Sequence, residues 1–249
     1  MSTTSADPPP TYSIVIPVYN ESNRLRATLE KLFSYLASQG WSAEVIVVND
    51  GSTDNTVEIV HEFRRTHPEL RLVENPGNRG KGYSVRNGML HATGKLLLFT
   101  DADLSAPMEE AVKLFSAISN GADVAIGSRW LQAELQTHRQ PFYRQIFGRV
   151  FNLALRMVLG LRFKDTQCGF KAFTGRAAAA IFPLQRIERW GFDAELLFLA
   201  KCLGFIATEV PVQWAHSPGT RLSPVRDGIR MLGETLKIRW NALTGKYRC

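Results

Sequence analysis

The 249-residue chain is 45% hydrophobic and 21% charged, an ordinary globular composition that permits a sizeable core in one large α/β domain or two small ones. Thirty Lys and Arg against 23 Asp and Glu give a formal charge of +7, which suits nucleotides, nucleic acid or an anionic bilayer without choosing among them. The three cysteines, Cys168, Cys202 and Cys249, have neither a close pair nor metal-ligand spacing, which argues against a disulfide framework and for a reducing compartment.

Residues 1–11, rich in Ser, Thr and Pro, are expected to form a disordered lead without the basic start and apolar stretch of a signal peptide. From there the chain alternates. Short β-branched runs predict strands at Tyr12–Pro17, Glu44–Val48, Leu70–Val73, Leu96–Thr100 and Val124–Ile126. Helical spacing predicts helices at Arg24–Ser38, Thr56–Thr66, Gly82–His91 and Glu109–Ser119, with Asp54 and Pro107 marking two starts. Such alternation implies a mostly parallel sheet covered by helices, whose ligands bind beyond the carboxyl ends of the strands. The polar clusters Tyr19–Glu21, Asp50–Asp54, Asn75–Lys81 and Asp101–Ser105 fall at those ends.

After Gly127 the pattern changes. Ser128–Arg144 is polar and basic, Asp165–Phe173 is dense in polar residues, and Glu188–Cys202 reads as a loop entering a helix. Glu209–Ser223 reads as extended and loop-like, with a basic amphipathic helix over Asp227–Leu243. No segment reaches the ~20 uninterrupted apolar residues of a spanning helix. Ile146–Leu161 comes nearest, but Arg149, Asn152 and Arg156 share one helical side, so it is expected to pack on the core or lie in a bilayer interface. Trp240, Phe198 and Phe205 are expected in the core. No linker or repeat appears, so residues 12–249 form a single domain.

Asp101 and Asp103 directly follow an apolar strand. A turn there brings both carboxylates to one cation, and hard oxygen ligands suit Mg²⁺ or Mn²⁺ bridging to a diphosphate. Two solvated loop acids are the other reading, and the strand-end position favours the first. Asp50, before Gly51, can accept hydrogen bonds from a ribose hydroxyl or a base, or can cap the next helix. Asn78–Gly82 resembles a phosphate loop, and Lys81 can face a diphosphate or solvent. Val85 stands where a dinucleotide-binding turn needs Gly, and Gly82 stands where a P-loop needs Ser or Thr, so a dehydrogenase and a P-loop NTPase are unsupported. His61, His67, His91, His138 and His216 show no metal spacing.

Tyr12–Glu21 (YSIVIPVYNE), Val48–Ser52 (VNDGS), Asn78–Gly82 and Asp101–Leu104 together resemble the signatures of inverting family 2 glycosyltransferases with the GT-A fold. Gly127–Arg129, Asp165–Lys171, Glu188–Glu195 and Gly219–Leu222 are similar to stretches of the polyprenyl-phosphate glycosyltransferases. Glu188–Trp190 and Leu243–Lys246 look most like the dolichyl-phosphate β-glucosyltransferases within them.

The resemblance implies an α/β GT-A fold, Rossmann-like, with helices on both faces of the sheet and an elaborated C-terminal half bearing amphipathic helices. It implies that Pro17, Tyr19, Glu21 and Asp50 hold the nucleoside, and that Asp101 and Asp103 hold Mg²⁺ or Mn²⁺ on the diphosphate. Ser105 stands where mannosyl relatives often carry Gln. Arg129, Arg144 and Arg221 would gather the diphosphate and the acceptor phosphate, with Arg139 an alternative to Arg144. Gln167, Trp190 and Asp193 would surround the sugar.

The expected reaction is inverting transfer of a hexose, UDP-glucose foremost as donor, to a polyprenyl or dolichyl phosphate. Peripheral attachment to the cytoplasmic face of a membrane is expected to rest on the Ile146–Leu161 segment and the basic C-terminal helix. Mannose from GDP-mannose, a soluble acceptor, or a nucleotide-sugar or phospholipid binding module are the rivals. No nucleic-acid motif appears.

Overall fold

The structure, a computed structural model, describes residues 9–138, 142–215 and 224–247. Its first half runs β1 (Tyr12–Val18), α1 (Leu25–Gln39), β2 (Ala43–Asn49), α2 (Thr56–Arg64), β3 (Leu70–Glu74), α3 (Lys81–His91), β4 (Leu96–Phe99), α4 (Ala111–Ser119) and β5 (Val124–Ser128). The later half adds β6 (Gln136–His138), α5 (Phe142–Leu159), β7 (Lys171–Thr174), α6 (Gly175–Ile181), α7 (Phe192–Cys202), β8 (Ala207–Pro211), β9 (Trp214–Ala215) and α8 (Pro224–Leu243).

The main sheet has the order β3-β2-β1-β4-β7-β5-β8. Its pairings are parallel except where β7 runs antiparallel to both β4 and β5. Successive strand residues point to opposite faces. Ile14 and Ile16 of β1 therefore feed one core with Val45 and Val47, while Val15 feeds the other with Ile46 and Val48. Both faces are covered, which is why the strands read as unbroken apolar runs. The predicted α/β sheet with helices on both faces is what the chain forms.

Helix α3 lies close on the sheet. A Cβ at Gly88 would fall 2.4 Å from the Val15 side chain, so only glycine lets the helix approach that far. This contact sets its N-terminal residues, Gly80 and Lys81, beside the carboxyl ends of the strands.

Ends of the elements expected in the first half shift by only a residue or two, and the expected start of α4 is a separate 3₁₀ turn, Met108–Glu110, whereas α5 and α8 begin four and three residues before the segments expected at Ile146 and Asp227. Asp54 acts as expected at the start of α2: its carboxylate accepts the Thr56 N–H at 3.1 Å and the Ser22 N–H at 3.1 Å. Burial pushes the Asp54 carboxyl up, but the hydrogen bonds from Thr56 and Ser22 outweigh it and hold it at about 2. A depressed carboxyl contributes stability above its unfolded value near 4 that is lost as pH falls toward 2. Asp54→Ala should therefore cost about 1 kcal/mol at pH 7 and much less at pH 2, as read by urea unfolding at both pH values.

Two expectations are corrected. Asn152 does not share an outward polar side with Arg149: it is buried, donating to the Lys164 carbonyl at 2.6 Å and accepting from the Thr166 hydroxyl at 2.7 Å. On the same helix Leu153 and Met157 are exposed. Periodicity could not anticipate a buried amide whose partners come from a later loop. Trp240 is 62% exposed and not core, because α8 packs inward through Thr235, Ile238 and Asn241. Phe198 is buried and Phe205 half-buried, as expected. Residues 1–8 of the expected lead lie outside the described residues, while the Thr11 N–H is already bonded to the Ser42 carbonyl at 2.9 Å.

Candidate active site

The polar loops after β1, β2 and β4 and the N-terminus of α3 surround a cleft of about 490 Å³, a size in the ordinary range for ligand pockets. Pro17, Tyr19, Glu21, Asp50 and Lys81 line one side. Asp101, Asp103, Arg129, Gln167, Trp190 and Asp193 line the rest. Arg221 and Arg139 lie outside the described residues; Arg144 sits in the first turn of α5, its side chain likewise outside them.

Loop geometry explains the first side. Gly51 has φ of 74° and approaches Gly77 so closely that a Cβ would lie 2.9 Å from its carbonyl carbon. Asp50 accepts the Asn75 amide at 2.8 Å, the Arg79 N–H at 2.9 Å and the Gly80 N–H at 2.8 Å. It thus fastens the Asn78–Gly80 loop in addition to facing the cleft. Asn20 zips the loops after β1 and β2, accepting the Thr53 N–H at 2.7 Å.

Beyond β4 the chain turns, with Leu104 N–H on the Asp101 carbonyl at 3.1 Å and Leu104 at φ 45°. The turn overrides strand alternation, so both acids face the cleft as the sequence led us to expect. Lys81 Nζ lies 2.5 Å from Asp101 Oδ1, and Arg24 Nη1 lies 3.7 Å from Asp103 Oδ2. Burial lowers the Lys81 ammonium, but Asp101 and then Asp193 outweigh it and raise it. Among the described residues, no group of three or more His, Cys, Asp or Glu gathers to cage a metal ion. Asp101 and Asp103 are hard oxygen donors on one wall of the cleft, a donor set that would suit a divalent ion such as Mg²⁺ or Mn²⁺.

Gly169 presses against Asp101: a Cβ there would lie 2.4 Å from Asp101 Oδ2. Gly169→Ala must push that carboxylate aside by about an ångström, so activity that depends on Asp101 should fall about 100-fold in steady-state assays while the unfolding midpoint hardly moves. An alanine variant with normal rates would show that Asp101 need not stay where it is.

Arg129 follows β5 and is gripped by Asp165, through Nε at 2.7 Å and Nη2 at 2.8 Å. Asp165 is in turn fixed by Glu209, which accepts its backbone N–H at 2.7 Å. Burial would raise Asp165, but Arg129 outweighs it and holds the carboxyl below its ordinary value. Reciprocally, burial would lower Arg129, and Asp165 outweighs that and raises it. The guanidinium also lies over the rings of Trp214 at 5.4 Å and Trp130 at 6.0 Å. The result is a fixed cation at the cleft wall. Gln167 Nε2 is buried and has no protein partner among the described residues, as a donor awaiting a ligand oxygen would be.

Asp193 begins α7 as a buried acid ion-paired to Lys171, which is itself fully buried and reaches the Cys168 carbonyl at 2.5 Å. Burial pushes the Asp193 carboxyl up, and Lys171 and Lys81 pull it down without cancelling the rise. Burial also pushes the neighbouring Cys168 thiol up to about 12, so it stays protonated and inert. Trp190 stands across the cleft, with Lys81 Nζ 5.5 Å from its ring centre. Sequence reasoning assigned no role to Lys171, Arg24 or Gly169. For Lys171 the sequence offered no signal, because its partner Asp193 lies 22 positions on and the strand it opens was not itself visible.

A model described as glycosyl transferase family 2 matches residues 13–181. The chain is 40% identical over 213 residues to a dolichyl-phosphate beta-glucosyltransferase of Trichomonas vaginalis, covering 81% of this chain and 63% of that one. It is 35% identical over 249 residues to the Drosophila melanogaster protein of the same description, covering 95% of this chain and 76% of that one. Among solved structures it resembles glucosyl-3-phosphoglycerate synthase from Mycobacterium tuberculosis in complex with Mn²⁺, UDP and glucosyl-3-phosphoglycerate, with a TM-score of 0.66 at 20% identity over 96% of this chain and 80% of that one. It also resembles a Pyrobaculum calidifontis mannosyltransferase in complex with GDP-mannose and Mn²⁺, with a TM-score of 0.60 at 18% identity over 96% and 65%. At these identities the two structures speak for the fold alone.

Proposed function

Because the chain belongs to glycosyl transferase family 2, we propose that it transfers glucose from UDP-glucose to a dolichyl or polyprenyl phosphate with inversion. One observation carries the reading: Asp101 and Asp103 share a single cleft with Asp50 and Arg129, so one diphosphate donor can touch all four. The choice of sugar and acceptor rests on likeness to relatives described as dolichyl-phosphate beta-glucosyltransferases.

In this reading Pro17, Tyr19, Glu21 and Asp50 receive the nucleoside. Asp101 and Asp103 hold Mg²⁺ or Mn²⁺, which when bound neutralises charge on the departing diphosphate. Lys81 and Arg129 add fixed positive charge at the same place, with Arg144 and Arg221 assigned to the acceptor phosphate. A phosphate monoester is largely dianionic at neutral pH, its second pKa being about 6, so no strong general base is required. Its oxygen attacks the anomeric carbon as the bond to the diphosphate breaks on the opposite side. Asp193, Gln167 and Trp190 hold the sugar in line, and orientation with electrostatics supplies the rate.

No described helix is long and apolar enough to cross a membrane. We propose peripheral attachment on the cytoplasmic face through α8 and α5, on the strength of their outward surfaces. The outward side of α8 exposes Ile229, Leu232, Leu236, Trp240 and Leu243, and exposed Arg230, Lys237 and Arg239 flank them. An apolar stripe edged by cations is what an anionic bilayer surface attracts. The protein should sediment with vesicles containing anionic lipid at low salt and be released by high salt; no sedimentation at low salt removes this part of the reading. The reaction itself is tested by a panel of radiolabelled UDP- and GDP-sugars with a short polyprenyl phosphate, read by extraction into organic solvent. Label should enter the organic phase from UDP-glucose; label from GDP-mannose alone would overturn the donor assignment.

A further inference from the structure

The side of α8 opposite its exposed stripe is built into the cleft. Met231 lines the pocket. One turn on, Glu234 accepts the Gly191 N–H at 2.8 Å, and a Cβ on Gly191 would lie 2.8 Å from Glu234 Oε2. Gly191 directly follows Arg189 and Trp190, which line the cleft. The other end of the same loop is held from beyond α8. Glu195 accepts the Arg186 N–H at 3.0 Å and the Ile187 N–H at 2.8 Å, and the buried Tyr247 hydroxyl donates to that carboxylate. Asn241 of α8 donates to the Tyr247 oxygen at 3.2 Å. Residues 186–191 are thus suspended between two acids, one on α8 and the other capped by the chain that leaves it.

The loop also leans on the phosphate side of the cleft. A Cβ at Gly80 would lie 2.7 Å from the Glu188 carbonyl, and one at Gly82 would lie 2.6 Å from the Ile187 carbonyl. Displacement of the loop therefore bears directly on Lys81. Interiors packed this tightly transmit shifts.

We infer that Glu234 is a positioning residue that links the seating of α8 on an anionic membrane surface to the Arg189–Trp190 wall of the cleft. The inference rests on the attachment proposed above. Seating fixes the outer face of α8; Glu234 passes that constraint to the Gly191 amide, and the wall is held in the geometry that receives donor and acceptor. A polar hydrogen bond to a carboxylate is directional, so it carries position as well as energy.

The test uses the full chain with vesicles of phosphatidylcholine and phosphatidylglycerol, following amide hydrogen exchange across residues 186–192 together with sedimentation. In the wild-type protein, vesicles should slow exchange there about tenfold. Glu234→Ala should still sediment yet lose that slowing, and Glu234→Gln, whose amide oxygen can accept the same bond, should keep it. Leu236→Ser with Trp240→Ser alters two side chains of the exposed stripe, and its unfolding midpoint is checked against the wild type. It should lose sedimentation and slowing together, with transfer to a water-soluble short-chain acceptor unchanged. Sedimentation without any slowing in the wild-type protein, or full slowing in Glu234→Ala, overturns the link while sparing the attachment. Absence of sedimentation overturns both.

Discussion

Asp103→Ala is expected to lower sugar transfer by about 1,000-fold, near 4 kcal/mol of transition-state stabilisation, while the fold persists. The side chain makes little that the fold depends on: its carboxylate accepts the Ser105 N–H at 3.0 Å and lies 3.7 Å from Arg24. Its value is as one of two hard oxygen donors facing the cleft. Thermal unfolding should shift by no more than a few degrees, and raising Mn²⁺ should restore part of the rate if the loss is one of affinity for the ion. The same variant decides between catalysis and simple binding. A protein that only senses nucleotide sugars would have no turnover to lose, and an unchanged rate would move the reaction to another site.

Asp165→Ala is expected to strike both stability and activity, costing about 3 kcal/mol in urea unfolding. Asp165 is buried, and it meets the Arg129 guanidinium through two side-chain hydrogen bonds and a third from the backbone at 3.1 Å. Removing it leaves a largely shielded cation without its counter-charge. Transfer should fall as well, because Arg129 would no longer be fixed at the cleft wall. Adding Arg129→Met to Asp165→Ala should recover part of the stability but none of the activity, the non-additivity expected of a contacting pair. The sign with pH follows from the depressed carboxyl. Its contribution is present above about pH 4 and lost as pH falls further, so wild type and variant should converge in acid. Equal pH dependence in both would argue against the pair as described.

Much of this was legible because the first half of the chain is locally consistent. Ile14–Ile16 and Val45–Val48 are buried on both faces, and burial on both faces leaves an unbroken apolar run that sequence can display. The acids at 50, 101 and 103 stood out because they end such runs. What sequence could not display depends on residues distant in the chain. Lys171 opens a buried strand only because Asp193 neutralises it from 22 positions away. Asn152 faces inward for the sake of the 164–166 loop. Trp240, expected in the core, is exposed because the inward side of α8 is taken by Thr235, Ile238 and Asn241. Residues 171–174 gave no strand signal of their own: the segment is short, and its partners lie to either side of it in space but well before it in sequence.

That last strand has a consequence for how the chain is made. β7 is wedged between β4 and β5, which precede it by some seventy and forty-five positions, so those two cannot join through it until it is synthesised. A ribosome-bound chain ending near residue 165 would present the edge of β4 with its amides and carbonyls open, an invitation to pair with a neighbour. The N-terminal half should therefore aggregate when expressed alone, although its own strands β1 to β4 pair in unbroken parallel register, and the synthesis of a few late residues would be the moment at which that edge is closed.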